Sequence, residues 1–237
     1  MLTILRPANT PTRSRLLHPV ILAAFLASVP LPAVAQTADP GLDGLRAEIE
    51  RLSSIAKGRV GVGIIHIESG RELFVNGAEP FPMASTFKVP VAVTLFDLVD
   101  KGKLRLDSMI TLKPSDLHPG SGTIWNLLDD PGVVLSLRNL TELMLLISDN
   151  SAADLLLKAV GGAPVVNARL AALGVQGISV DRQTILLIAD SMGVKSLPPE
   201  SEWSKARFAA LGLARGLTDA DRAAAKETFY KDPRDTA

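Results

Sequence analysis

The sequence contains no cysteine, a single tyrosine and only three histidines, and it has 25 basic against 25 acidic residues. The absence of cysteine excludes a disulfide scaffold, a thiolate metal site, a cysteine nucleophile and a lipid-modified cysteine anchor. A neutral charge balance offers no basic face to a nucleic-acid partner. With 47% hydrophobic residues over 237 positions, the composition is that of a globular protein of one or two domains. Serine is therefore the natural nucleophile to look for.

The first 35 residues are typical of a secretory signal. Arg6, Arg13 and Arg15 precede an apolar run over Val20–Leu31, and the small-residue site Ala33-Val34-Ala35 follows. The run is shorter than the ~20 residues that span a bilayer. We expect cleavage after Ala35 and a periplasmic or secreted protein with 22 basic and 25 acidic residues. The alternatives are an N-terminal membrane anchor or a wrongly assigned start of the chain.

The periodicity of the remaining chain predicts a helix, a β-hairpin and then an almost wholly helical region. Apolar residues from Leu45 to Ala56 follow helical spacing, and strands around Val60–Ile64 and Leu73–Val75 flank a turn over Glu68–Gly70. A sheet of two strands is marginal without further strands. The other predicted elements are a helix starting near Thr86, a short strand within 104–112, a loop over 113–123, and helices over Leu135–Ile147, Ala152–Val160, Pro164–Leu173, Trp203–Leu213 and Thr218–Tyr230.

A first chemical motif is Ala84-Ser85-Thr86-Phe87-Lys88. Ser85 and Lys88 lie three residues apart, so they share a face at the start of a helix. A partly buried lysine can lose its proton near neutrality and activate a serine. The pattern alone is weak, because Ser54 and Lys57 repeat it on the first amphipathic helix, where we interpret it as a solvated face.

A second motif is Ser148-Asp149-Asn150, which follows an apolar helix. Taken alone, this motif is typical of a helix cap, with serine and aspartate accepting from backbone N–H groups. The functional interpretation requires Ser148 to relay a proton and Asn150 to hold a substrate group.

Together and in this order, the two motifs resemble those of class A serine β-lactamases, in the wider group of penicillin-recognising serine acyl enzymes. The loop Pro119–Gly122, Gly161-Gly162 and the closing Asp232–Thr236 are similar too. The resemblance implies an α+β fold in which an all-helical domain packs beside an α/β sheet domain, with the active site between them. We accordingly divide the chain into a signal peptide (1–35), the first helix and hairpin (36–84), the helical domain (85–181) and an expanded active-site loop (182–237).

The resemblance also implies roles for individual residues. Ser85 attacks the lactam carbonyl, Lys88 helps to take its proton, and Ser148 passes a proton to the leaving nitrogen. Asn150 binds the side-chain amide of the ligand. Trp125 is either an aromatic wall of the cleft or a structural loop aromatic. The partner is a small β-lactam, with no cofactor, no metal, no nucleic acid and no stable membrane insertion, and the protein is expected to be a monomer.

The sequence departs from the family at the active-site loop. Arg182 and Asp235 resemble the ion pair that closes this loop, but Thr184 stands where the family has the glutamate that activates water. A threonine hydroxyl cannot act as that general base. The candidate replacement bases within the loop are Asp190, Glu200, Glu202 and Glu227, and the favoured interpretation of each is a surface charge.

A second departure is the missing Lys-Thr-Gly motif, which is found nowhere after Ser148. Chain order places that strand after Thr236, so we expect the sequence to be the front part of a family member. Three hypotheses follow: a β-lactam hydrolase acting through a serine acyl-enzyme, a penicillin-binding acyl enzyme with slow or no deacylation, and a non-catalytic helical binding module. A Ser/His/Asp hydrolase or a metal hydrolase is disfavoured, because after the signal only His66 and His118 remain and no Gly-x-Ser-x-Gly occurs.

Overall fold

The computed structural model describes residues 40–129 and 132–215, together with 218 and 220. The helices are α1 (Pro40–Ser53), α2 (Lys88–Asp100), α3 (Ile124–Leu127), α4 (Leu137–Leu146), α5 (Asn150–Ala159), α6 (Ala163–Ala172), α7 (Thr184–Ser191) and α8 (Lys205–Ala210). The strands are β1 (Val62–His66), β2 (Arg71–Val75), β3 (Met109–Thr111) and β4 (Val134–Ser136). Short 3-10 helices cover Ala84–Phe87, Pro114–Asp116 and Glu200–Glu202.

The predicted hairpin is present as the antiparallel pair β1–β2, in which Val62 lies opposite Val75. Along β2 the side chains of Leu73 and Val75 are buried and that of Phe74 between them is exposed, which is the alternation of a half-buried strand. α1 packs on this strand, and Arg46 Nη1 donates to the carbonyl oxygen of Phe74 at 2.7 Å. Within the described residues no third strand joins this sheet.

A second small sheet, β3–β4, holds a strand that the periodicity did not predict. Leu135 was expected to open a helix, but it pairs with Ile110 across the ladder. The helix α4 begins only at Leu137, because Ser136 Oγ accepts a hydrogen bond from the backbone N–H of Asn139 and caps its first turn. A serine is a common helix cap, but the apolar residues on both sides of Ser136 follow helical spacing. The periodicity therefore placed the start of the helix at Leu135.

The main hydrophobic core lies between α2, α4, α5 and α6. α5 is its central element, since eight of its ten residues are buried. Val91, Leu95, Leu140 and Leu156 are fully enclosed. Each such side chain contributes about 1.5–3 kcal/mol through removal from water. This core fixes α2 against α5, and the two motifs lie at the N-terminal ends of these helices.

A smaller core forms in the segment after Arg182. Its buried members are Ile185, Ala189, Trp203, Phe208 and Leu213, and it meets the helical domain through Trp125. The predicted helix over Trp203–Leu213 is shorter than expected, because Ser204 Oγ accepts from Arg207 N and sets its start at Lys205. The predicted helix over Thr218–Tyr230 falls outside the described range, apart from residues 218 and 220.

Over residues 40–129 and 132–215, no single helix is long and apolar enough to cross a membrane. The bent pair α5 and α6 passes that test by length and composition only. The predicted signal segment, residues 1–35, lies outside the described residues.

Candidate active site

Ser85 lies in the 3-10 helix Ala84–Phe87, which runs directly into α2. The α-helix was expected to begin near Thr86, and it begins at Lys88. Pro90 has no N–H to offer the carbonyl of Thr86, so the preceding turn closes with the shorter bond from Lys88 N to Ser85 O. Ser85 is exposed, and among the described residues its hydroxyl makes no hydrogen bond.

Lys88 is buried, with only 3% of its surface exposed. Its ammonium group donates to the carbonyl oxygen of Ser148 at 2.6 Å, to Ser148 Oγ at 2.9 Å and to Asn150 Oδ1 at 2.9 Å. These three bonds use all three ammonium protons and join the start of α2 to the start of α5. Lys88 makes no direct hydrogen bond to Ser85, the residue whose proton it was expected to take.

Burial lowers the pKa of Lys88 from its ordinary value. The negative charges of Asp154 and then Asp149 oppose that shift and raise the pKa in part. The site therefore combines a lysine that is easier to deprotonate than a free amine with two nearby carboxylates that limit the effect.

Asp149 and Asn150 are held by the loop Pro119–Gly122 and by the two residues that follow it, Thr123 and Ile124. Asp149 Oδ2 accepts from the backbone N–H groups of Thr123 at 2.6 Å and Ile124 at 2.8 Å, and its Oδ1 caps α5 by accepting from Ala152 N at 3.0 Å. Asn150 Nδ2 donates to the carbonyl oxygen of Pro119 at 3.0 Å. The Ser148-Asp149-Asn150 motif is thus both a helix cap and a part of the lysine cluster.

Ser121 completes the connection between this loop and the cluster. Its hydroxyl lies 2.7 Å from the carbonyl oxygen of Ser148 and 3.1 Å from Asn150 Oδ1. Gly122, with φ near +107°, lies so close to Asp149 that a Cβ would overlap the carboxylate. The glycine is therefore required both by its backbone conformation and by the close approach of the loop.

Two non-glycine residues at the site adopt left-handed backbone conformations. Ala84 has φ +44° and directly precedes Ser85, and Ser148 has φ +57°. Such conformations cost about 1–3 kcal/mol and persist where the surrounding contacts fix them. Ser148 Oγ accepts from Lys88, and among the described residues its own O–H has no acceptor. Ser148 can therefore donate a proton to a ligand.

The start of α7 lies against α5. Thr184, expected at the position of the family glutamate, is 7% exposed, and its Oγ1 has no hydrogen-bond partner among the described residues. Gln183 Oε1 is also buried without a partner there. Asp154 Oδ1 accepts from the backbone N–H of Thr184 at 2.6 Å. No carboxylate side chain stands at position 184 to activate water.

Three of the four replacement bases considered from the sequence form ion pairs with cationic side chains. Asp190 lies 2.5 Å from Arg182 Nη1, Glu200 pairs with Lys158, and Glu202 lies 3.9 Å from Arg207. Asp235, the expected partner of Arg182, and Glu227 lie outside the described residues. Arg182 also contacts Asp181 at 3.2 Å.

Trp125, in α3, packs between the two cores. Its ring lies 6.2 Å from that of Phe208, and Lys205 Nζ lies 5.4 Å from its centroid. These contacts correspond to the structural alternative for Trp125, and its role as a wall of the cleft stays a prediction.

Comparison with known proteins agrees with this geometry. A model of the β-lactamase enzyme family matches residues 44–225. This chain belongs to that family. Curated relatives include the β-lactamase VEB-1 of Pseudomonas aeruginosa, 30% identical over 58% of this chain and 46% of the relative, and the β-lactamase L2 of Stenotrophomonas maltophilia, 31% identical over 64% and 52%. The chain spans about half the length of the curated relatives it matches.

Solved structures give the same family and its β-lactamase/transpeptidase-like fold. An ancestral class A β-lactamase superposes with a TM-score of 0.55 at 29% identity, covering 77% of this chain and 69% of that one. A mutant of PBP-A, solved as its acyl-enzyme complex with penicillin G, superposes with a TM-score of 0.57 at 29% identity, covering 62% and 55%. Both a β-lactamase and a penicillin-binding protein therefore share this fold.

One buried polar pair at this site, His118 and Asp154, was not predicted from the sequence. His118 lies 2.7 Å from Asp154 through Nδ1, and both side chains are 1% exposed. His118 appeared in the sequence only as an isolated histidine. The spacing of Asp154, four residues after Asn150 on α5, places the two on one helix face and was the available signal.

Proposed function

We propose that Ser85 of this β-lactamase family member is acylated by β-lactams. The observation that supports the proposal is the buried Lys88 ammonium, bonded to both Ser148 and Asn150, one helical turn after the exposed Ser85. Two motifs that are far apart in sequence thus meet at one nitrogen atom. β-Lactam hydrolysis is the reaction of the family, and the acyl-enzyme route at these residues is the specific proposal.

In the proposed reaction, Ser85 Oγ attacks the lactam carbonyl carbon while its proton leaves to the base formed by neutral Lys88. The C–N bond of the ring then breaks. Ser148 Oγ–H delivers a proton to the leaving nitrogen and regains one from Lys88, from which it accepts a hydrogen bond at 2.9 Å. The backbone N–H of Ser85, in the first turn of its helix, is available to stabilise the oxyanion.

Lys88 must be neutral to accept the proton, and its environment favours this. Since burial lowers its pKa, a larger fraction of molecules carries a neutral amine at a given pH than for an exposed lysine. The rate of acylation should therefore rise with pH through the pKa of Lys88.

A second candidate function is acylation with slow or absent deacylation, as in a penicillin-binding protein. The favouring observation is Thr184, which stands at the buried start of α7 where the family has a glutamate. The candidate bases Asp190, Glu200 and Glu202 are each within 4 Å of a cationic side chain. Within residues 40–129 and 132–215, a water molecule attacking the acyl group would therefore find each of these candidate bases already paired with a cation.

The test is covalent labelling of the purified protein with a fluorescent penicillin, followed by mass spectrometry of the labelled peptide. We expect the label on Ser85 and its loss in Ser85→Ala. Ser54→Ala is the matched control, because Ser54 has the same spacing to a lysine but lies exposed beyond the end of α1. Labelling that persists in Ser85→Ala, or that disappears in Ser54→Ala, would overturn the assignment. The lifetime of the labelled species separates the two candidate functions.

We also propose that the protein is exported and released by cleavage after Ala35. The support is the pattern of three arginines, an apolar run and Ala33-Val34-Ala35. N-terminal sequencing of the protein from the periplasmic fraction should begin at Gln36, and an intact N-terminus in the membrane fraction would contradict cleavage.

A further inference from the structure

A groove between α2 and α4, called here the α2–α4 groove, is open to solvent and contains none of the residues that the proposed reaction uses. Its volume is about 250 Å³. Its lining includes Phe96, Leu106, Leu145 and Leu146, together with the charged residues Arg138 and Glu142. Phe96 is 43% exposed, Leu145 46% and Leu146 80%. The groove therefore presents large apolar side chains to water beside two opposite charges.

The outer face of α2 is apolar from the groove back to the start of the helix. Val89, Val93 and Phe96 recur at intervals of four and three residues, and each is at least 36% exposed. The opposite face, with Val91 and Leu95, is fully buried in the main core. A helix that is apolar on all sides is typically covered on all sides. The part of the chain that the structure describes leaves the outer face of α2 without the cover that this composition predicts.

The two charged residues of the groove are free to pair with a partner. Among the described residues, neither Arg138 nor Glu142 forms an ion pair. Asp107, whose pKa the charge of Arg138 helps to lower, is bound by Arg105 at 2.6 Å instead. Arg138 and Glu142 lie four residues apart on the same face of α4. If two copies of α4 pack antiparallel about a two-fold axis near the middle of the helix, Arg138 of each copy lies opposite the partner subunit's Glu142.

The apolar residues of the groove are complementary in the same arrangement. Arg138 and Leu146 are separated by about 12 Å along α4, so they lie at opposite ends of the helix. Leu106 lines the groove at the Arg138 end, where its carbonyl oxygen accepts from Arg138 N at 2.9 Å. Antiparallel packing brings Leu146 of one copy to the Leu106 end of the partner's groove. The two-fold axis repeats this contact, so both exposed leucines are buried at once.

We propose that the α2–α4 groove binds a second copy of this chain in a two-fold symmetric contact between antiparallel α4 helices. The contact pairs Arg138 with the partner subunit's Glu142 and buries Leu146 in the groove of the partner. The apolar surface is smaller than the ~20–30 residues a side of a standard interface, so the dimer is weak and reversible. An equilibrium between monomer and dimer thus takes the place of the monomer expected from the sequence. The proposal does not depend on the chemistry of Ser85.

The test is sedimentation velocity of the purified protein at ~1 to ~200 µM, over which a weak interface should change from monomer to dimer. Arg138→Glu places like charges at both symmetric contacts and should raise the dissociation constant of the dimer about 10-fold. Glu142→Arg should have the same effect. The double variant Arg138→Glu with Glu142→Arg restores opposite charges in exchanged positions, and its dissociation constant should return to within about 2-fold of the wild type.

A second pair of variants tests the apolar part of the contact. Leu146→Glu places a charge in the partner's groove and should leave the protein monomeric at ~200 µM. Leu127→Glu is the matched control, because Leu127 is 72% exposed in α3 and lies outside the groove, and it should associate like the wild type. Thermal unfolding of each variant shows that its fold is kept.

Three results overturn the proposal. The first is a wild-type protein that stays monomeric at ~200 µM, since some other segment then covers the groove or nothing does. The second is a double charge variant that associates no better than the single variants. The third is a dimer that Leu146→Glu leaves unchanged, because the association then uses another face of the molecule.

Discussion

The region around Lys88 and the region around Thr184 differ in how many of their buried polar groups have hydrogen-bond partners. Around Lys88, each ammonium proton has an acceptor and Asp149 accepts from three backbone N–H groups. At the start of α7, the buried side-chain oxygens of Gln183 and Thr184 have no partners among the described residues. Buried polar groups are nearly always satisfied, so this contrast is unusual within a single site.

This contrast corresponds to the two steps of the proposed reaction, acylation and deacylation. Acylation requires a serine, a lysine and a proton donor, and a dense hydrogen-bond cluster holds the lysine, Lys88, and the proton donor, Ser148. Deacylation requires a general base for water, and the position expected to hold it is a threonine. For acylation, the fold supplies polar side chains. At the position expected to hold the deacylation base, it supplies only the backbone N–H of Thr184, which donates to Asp154.

The largest expected effect comes from replacing Lys88, the residue at the centre of the first region. Lys88→Met should lower the acylation rate by about 10³-fold, because the proton acceptor for Ser85 is lost. Ser121 Oγ remains close to the Ser148 carbonyl and Asn150 Oδ1, so folding should survive. Stopped-flow measurement with a fluorescent penicillin gives the rate. Lys57→Met, in the exposed copy of the motif, should react like the wild type, and a Lys88→Met protein that also does so would refute the role of the lysine.

The next effect comes from supplying the second region with a base. Thr184→Glu should accelerate release of the acyl group about 100-fold, because it adds a carboxylate at the N-terminus of α7, where negative charge is favoured. Release of the fluorescent label from Ser85 measures the rate. Thr184→Gln has the same size without the base and should release at the wild-type rate. Equal release by the Glu and Gln variants would show that the fold cannot use a base at this position.

A third effect tests how far the first region depends on its loop. Gly122→Ala should unfold more easily than Gly132→Ala, because both glycines have positive φ but only Gly122 lies against Asp149. The control should lose about 1 kcal/mol in the free energy of unfolding from backbone strain. Gly122→Ala should lose about 1.5 kcal/mol more, since the Asp149 carboxylate is displaced from its donors. Equal losses in denaturant titrations would mean that the loop adjusts without disturbing Asp149.

Local patterns predicted those parts of the fold that depend on local chemistry. The hairpin followed from alternation and a turn glycine, and the helices of the main core followed from apolar spacing. Predicted boundaries were wrong where one side chain sets the end of an element. The Ser136 cap starts α4 at Leu137, and Leu135 lies in a strand. The 3-10 helix before Lys88 likewise depends on the missing N–H of Pro90, and its exact start was not predicted.

The residues of the candidate site were predicted from the sequence, whereas the hydrogen bonds among them were not. Ser85, Lys88, Ser148 and Asn150 were identified from two short motifs, and the structure brings the last three together around one nitrogen. The lack of a direct bond between Ser85 and Lys88 could not be predicted, because the spacing fixes a helix face and leaves the rotamers open. The His118–Asp154 pair joins residues 36 positions apart, and the spacing of Asp154 from Asn150 indicates a shared helix face without indicating this contact.

The smallest expected effect concerns the contact between α8, in the segment that contains Thr184, and the helical domain. Lys205 in α8 lies over the ring of Trp125 and 2.5 Å from Asp129, which links the second core to the helical domain. Lys205→Met should lower the free energy of unfolding by only about 0.5 kcal/mol, because Asp129 is exposed and cation–π contacts at accessible sites are weak. Lys195→Met, exposed in the same segment, is the control and should have no effect. Hydrogen exchange of the α7 and α8 amides reads the local consequence. A large increase in exchange confined to these helices would show that Lys205 alone holds the Thr184 region in place. The Thr184 and Lys88 regions would then differ in stability as well as in the hydrogen bonding of their buried polar groups.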